Sequence, residues 1–160
     1  MPDAAALTPD GHTPGLFILY APEGRIEALY RGTAAEAVLQ ATGPDHQGRR
    51  VLGPVAGPAG SAPDPSIQYV DPATATLCDR PACPARPDRT EIVTGGTGAV
   101  TLSGLPVPAS VRVAREGTGR SQVIPVPDGE LVWDTDLPGT YTLTVQSWPF
   151  RDGVFRVTAR

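Results

Sequence analysis

Gly139-Thr140-Tyr141-Thr142-Leu143-Thr144-Val145-Gln146 is the stretch that decides the fold class. Its apolar residues, Tyr141, Leu143 and Val145, fall on every second position, with Thr140, Thr142, Thr144 and Gln146 between them. Side chains on a strand point to opposite faces in turn, so such a segment offers one face to a core and the other to water. The same period runs outward from it. Val100 and Leu102 alternate with Thr101 and Ser103, and Ala109, Val111 and Val113 with Ser110, Arg112 and Ala114. Turn residues interrupt the alternation at Gly95-Gly96, Gly104 to Pro106, Gly117 to Gly119, Pro127 to Gly129, Pro138-Gly139 and Asp152-Gly153. Strands punctuated about every eight to twelve residues predict an all-β sandwich or small barrel. Trp133 and Tyr141 lie on the apolar side of their strands and belong in its core.

The chain ahead of this region divides by composition. Met1 to Gly15 reads as a flexible arm (residues 1–15), and residues 16–52 as a small β/α region. Leu16 to Tyr20 and Arg25 to Arg31 form a hairpin candidate around Ala21-Pro22-Glu23-Gly24, where proline presets φ and glycine permits a positive φ. Thr33 to Ala41 reads as a short helix, with Thr33 as N-cap and Glu36 three residues on as its capping-box partner. Gly43-Pro44 stops it. Residues 53–88 carry Pro54, Pro58, Pro63, Pro65, Pro72, Pro81, Pro84 and Pro87. That density favours extended, semi-rigid chain and predicts a linker. One short strand, Ile67 to Asp71, interrupts it. Residues 89–160 are the β domain.

Composition narrows the function classes. The chain has 160 residues with 18 Gly and 19 Pro, which implies many turns. The formal net charge is -4, every basic residue is Arg, and only Arg49-Arg50 are adjacent, so no basic stripe offers itself to nucleic acid. The longest apolar run, Leu16 to Ala21, falls far short of the ~20 residues that a membrane-spanning helix needs. Asp3 and Asp10, with no base among the first fifteen residues, do not read as a secretory signal. A soluble protein made in the cytoplasm is expected.

Candidate chemical sites are sparse. Cys78 and Cys83 enclose four residues, and no second pair completes a metal site. A disulfide between them and two separate thiols both remain open. His12 and His46 have no partner at ligand spacing, and Asp45 beside His46 adds none. Asp134 and Asp136 resemble a fragment of a calcium loop but read as a turn after the Leu131-Val132-Trp133 strand. Gly95-Gly96-Thr97-Gly98 lacks the ending of a phosphate loop and reads as a hairpin turn. No nucleophile stands with a base, so the reading is a non-enzymatic protein without cofactor or metal.

Four segments carry a resemblance. Leu19-Tyr20-Ala21-Pro22-Glu23-Gly24-Arg25-Ile26, Tyr69-Val70-Asp71-Pro72-Ala73-Thr74, Leu102-Ser103-Gly104-Leu105-Pro106-Val107-Pro108 and Leu137-Pro138-Gly139-Thr140-Tyr141-Thr142-Leu143-Thr144-Val145 follow in an order and spacing similar to those of small accessory virion proteins of tailed phages and phage-derived gene transfer agents. Gly139-Thr140-Tyr141 ahead of an alternating strand also resembles bacterial immunoglobulin-like modules. The chain departs from the pattern at Ala75, where the turn would more often carry Gly, and at Cys83, where an apolar residue would be expected.

The resemblance implies a virion structural protein with a C-terminal immunoglobulin-like β-sandwich, an adaptor or base that anchors a spike or fibre to the head or tail. Its implied partners are a capsid or tail protein, a spike or fibre protein and further copies of itself. Phe17 and Leu19, together with the arm, are the expected partner-binding residues. The alternative is a host polysaccharide (capsule) binding module that uses Trp148 and Phe150 as exposed aromatics.

Overall fold

The computed structural model describes residues 12–45, 48–55, 61–96 and 98–160. The fold is mainly β, with thirteen strands and one helix among these residues. It divides into two compact units, residues 1–80 and 81–160.

In the first unit, β1 (Gly15–Tyr20) pairs antiparallel with β2 (Ile26–Gly32) and with β3 (Arg50–Leu52), in the order β2-β1-β3. The expected turn joins β1 to β2, closed by Gly24 N–H donating to the Ala21 carbonyl at 2.8 Å. Helix α1 (Ala34–Ala41) starts where its capping box predicts. The Glu36 N–H donates to the Thr33 hydroxyl, and the Thr33 N–H donates to the Glu36 carboxylate at 2.9 Å. Those Thr33 donors, the backbone N–H foremost, hold the Glu36 carboxyl below its usual value of 4.5. A two-stranded hairpin, β4 (Gln68–Asp71) with β5 (Thr76–Asp79), completes the unit.

Strand β1 is central in its sheet, and both its faces are covered. Phe17 packs with Ala34 and Ala37 of α1, with Tyr30 and Val51 beside them. The alternate residues, Ile18 and Tyr20, pack with Ile26, Leu52 and Val70, the last from β4. Leu19 is 3% exposed and Phe17 is wholly buried. This corrects the sequence reading that made Phe17 and Leu19 partner-binding residues. A run of apolar residues without alternation belongs to a strand buried on both faces, and here those faces meet the unit's own helix and hairpin.

Proline density misled in the same region. Residues 53–88, read as a linker with one strand, carry β4, β5 and β6 (Arg86–Pro87), and the division between units falls inside them. Most of the prolines occupy turns and coil, which leaves Gln68–Asp71 and Thr76–Asp79 free to pair. Pro87 lies on an edge strand, where a missing N–H is tolerated. Ala75 has φ +51, the left-handed region that favours glycine, so its departure from the expected Gly is a departure in backbone terms too.

The second unit holds the alternating strands: β7 (Glu91–Ile92), β8 (Ala99–Ser103), β9 (Ala109–Arg115), β10 (Ser121–Val126), β11 (Leu131–Asp134), β12 (Gly139–Gln146) and β13 (Gly153–Ala159). Five form one sheet in the order β10-β9-β12-β13-β7, antiparallel except for β7 alongside β13. The other sheet has the order β11-β8-β6. Register puts Leu143 opposite Val113 and Phe155, and Val145 opposite Val111. Cross-strand partners share a face, and this face is buried. Val111, Val113, Tyr141, Leu143, Val145 and Val157 of the larger sheet join Val100, Leu102 and Trp133 of the smaller one in a single core. Asp88 ties the segment after β6 to β8. Its N–H donates to the Thr101 carbonyl at 2.9 Å, and its carboxylate accepts from the Thr101 N–H at 2.8 Å. That backbone donor, first among its causes, lowers the Asp88 pKa from its usual 3.8.

One contact in the first unit leaves no room for change. The Val70 N–H donates to the Gly24 carbonyl at 2.9 Å, so the β4–β5 hairpin sits directly on the β1–β2 turn. A Cβ at Gly24 would fall 1.9 Å from the Val70 carbonyl oxygen, and φ there is +93. Gly24→Ala is therefore expected to cost the first unit about 2–4 kcal/mol, through a lost hydrogen bond plus strain. Chemical denaturation of the full chain should show one destabilised transition and one unchanged. Two unchanged transitions would contradict the contact.

Candidate functional site

A cleft of about 560 Å³ opens in the second unit between the β9–β10 hairpin and the β11–β12 corner. Val113, Arg115, Thr118, Arg120, Ser121 and Gln122 line it from the hairpin, and Trp133, Asp134, Thr135, Leu137 and Tyr141 from the corner. Its size lies within the usual range of ligand sites.

The corner is rigid for identifiable reasons. Tyr141, the third residue of β12, directs its ring into the core, where it meets Trp133 edge-on at 4.9 Å between centroids and 60° between planes. Its hydroxyl donates to the Leu137 carbonyl at 2.8 Å, and the Thr135 hydroxyl lies 3.2 Å away. The Leu137 N–H in turn donates to the Thr135 hydroxyl at 3.2 Å. The loop between β11 and β12 is thus pinned to the start of the strand it feeds.

The hairpin side is held as firmly. The Arg115 guanidinium donates through Nη2 to the Pro138 carbonyl at 2.6 Å. Gly139 makes that possible, because a Cβ there would stand 2.9 Å from Arg115 Nε. The Thr118 hydroxyl donates to the Arg115 carbonyl at 3.0 Å and accepts from the Arg120 N–H at 3.3 Å. None of the ion pairs among the described residues involves Arg115 or Arg120. Arg120, Ser121, Gln122 and Asp134 are exposed at the mouth. The arrangement offers two guanidinium groups, one carboxylate, an amide and a hydroxyl above an apolar floor.

The residues expected from sequence lie elsewhere. Trp148 and Phe150, in the turn between β12 and β13, are half-buried and not the exposed aromatics expected of a sugar platform. Cys78 lies in β5 with its sulfur 3.6 Å from the Thr76 hydroxyl. Cys83 packs on the core of the second unit, where it fills the space a side chain at Gly153 would need. Both cysteines are free thiols, and Cys83 takes the place of the apolar residue expected there. His12 and Asp45 are exposed, whereas His46 and the first eleven residues of the arm fall outside the described residues. Gly95 and Gly96 form the expected turn with φ of +89 and +80, and Thr97 lies outside the description. Asp134 ends β11, and Asp136 is exposed in the turn that follows. No helix among the described residues is long and apolar enough to cross a membrane.

Arg115 and Arg120 are the residues that sequence reading passed over. The turn between them was legible as Gly117-Thr118-Gly119, and the hairpin it closes brings the Arg115 N–H to the Arg120 carbonyl at 3.3 Å. Two arginines flanking a tight turn are therefore neighbours, and that was the available signal. Comparison with protein-family models, curated proteins and solved structures finds no match to this chain.

The corner bond yields a stability test. Tyr141→Phe removes the hydroxyl and leaves the Leu137 carbonyl without its donor, an expected loss of about 1–2 kcal/mol. In a unit of this size that lowers the melting midpoint by roughly 4–16 °C. An unchanged midpoint for the second unit in a thermal melt followed by near-UV circular dichroism would contradict the role given to the bond.

Proposed function

We propose that this chain is a non-enzymatic structural protein of a phage-like particle, an adaptor that seats a spike or fibre on the head or tail, and that its C-terminal unit is an immunoglobulin-like β-sandwich. The observation that carries the sandwich is the Tyr141 hydroxyl bonded to the Leu137 carbonyl as the chain passes from one sheet to the other. A tyrosine bonded in this way near the start of strand F is a hallmark of that architecture. Strand order supports the same reading. Lettered as immunoglobulin strands, β6, β8 and β11 take the positions A, B and E. β10, β9, β12 and β13 take C′, C, F and G, and β7 adds to the G edge.

The adaptor role draws its support from organisation. Each unit has its own hydrophobic core, so one chain presents two separately folded surfaces to two partners. The particle setting rests on the resemblance of the four sequence segments to accessory virion proteins. With Phe17 and Leu19 enclosed in the first unit, the anchoring role passes to the arm, residues 2–14.

The test uses particles purified from cells that encode the chain. Deleting residues 2–14 should leave the melting of the C-terminal unit unchanged and remove the protein from particles examined by gel and electron microscopy. Normal occupancy without the arm contradicts the anchoring role. Absence of the full-length chain from the particles contradicts the adaptor reading as a whole.

A further inference from the structure

We propose that the cleft beside Trp133 docks an extended acidic segment of a partner protein, with a carboxylate of that segment held by Arg115 and Arg120. The two guanidinium groups are the first ground, outnumbering the one carboxylate of the lining, Asp134 at the end of β11. Arg115 is fixed by its single bond to the Pro138 carbonyl, and its remaining N–H groups stay available. Arg120 has no ion-pair partner among the described residues. Paired arginine forks bind a carboxylate with geometric specificity. A guanidinium held in place beforehand loses less freedom when it binds.

The choice of a peptide rests on the edges. Ser121 and Gln122 open β10, and Trp133 and Asp134 close β11. Each of these strands is the outermost of its own sheet, with a neighbour on one side only. The cleft is thus bordered by two unpaired strand edges, which supply main-chain donors and acceptors to an extended segment. The other edges of this unit are less suited to this: β6 and β7 are two residues long, and β6 contains Pro87, whereas the one proline of β10, Pro125, lies beyond the cleft-lining Ser121 and Gln122. A saccharide would need an open aromatic face, yet Trp133 is only 9% exposed and Tyr141 only 6%. Leu137, exposed in the lining, and the edges of these rings form a floor for an apolar side chain two residues from the acidic one, on the same face of the segment.

This site would give the adaptor a grip on its partner, and in that respect alone it rests on the adaptor reading. The test selects binders to the full-length chain from a displayed library of random decapeptides. The expected pool carries Asp or Glu with an apolar residue two positions away, on the same face of the extended segment. Affinity of a synthetic selected peptide should fall about tenfold or more for Arg120→Glu. It should remain unchanged for Arg112→Glu, an exposed position on β9 outside the cleft. Matching thermal midpoints establish that both variants are folded. A pool without carboxylates, equal binding by Arg120→Glu, or equal losses in both variants would overturn the proposal. So would binding of an oligogalacturonate, but of no peptide, in a manner that depends on Arg120. Peptide binding by a chain that never enters particles would overturn the adaptor reading and leave the site standing.

Discussion

Tyr141 carries its ring into the core of the C-terminal unit and must still find a partner for its hydroxyl, because an unpaired buried hydroxyl costs about 1–3 kcal/mol. The Leu137 carbonyl, four residues back, supplies that partner. The bond can form only if the chain turns sharply between β11 and β12, and that turn is what carries it from the smaller sheet to the larger. Trp133, the third residue of β11, meets the same ring from the opposite sheet. One side chain therefore joins the sheets through its ring and sets their connection through its hydroxyl. The cleft follows from the same geometry, because the Pro138 carbonyl that anchors Arg115 lies in the loop this bond shapes.

The first unit solves a different problem by enclosing one strand. β1 offers apolar side chains to both faces, so it needs a cover on each. α1 covers Phe17, and the β4–β5 hairpin covers Ile18 and Tyr20 through Val70. The hairpin approaches closely enough that only glycine fits at position 24. Both units thus depend on a turn whose backbone is engaged by another element.

Much of this was legible in the residues themselves. Alternation located β8, β9 and β12, and the Thr33–Glu36 pair gave the helix start, because both signals are local. The assignment of Phe17 and Leu19 fails because six apolar residues in a row, Leu16 to Ala21, show that a strand is buried but not what buries it. The β4–β5 hairpin was half seen. Proline density around it points to stiff chain, although the hairpin's one proline, Pro72, falls in its turn and spares the pairing residues. The cleft was missed because it has no motif. Arg115 and Arg120 gain meaning only once a hairpin and a corner from separate strands meet, and periodicity does not report that meeting.

The central claim is that residues 81–160 form a self-sufficient unit whose two sheets are held together through Trp133 and Tyr141. Its most direct test is calorimetry on the isolated fragment 81–160, alone and with Trp133→Ala. The account predicts a single cooperative transition for the fragment. Removing the indole should cost about 3–5 kcal/mol, enough to abolish that transition in so small a unit. A fragment without cooperative melting, or a Trp133→Ala fragment with an unchanged midpoint, would contradict it.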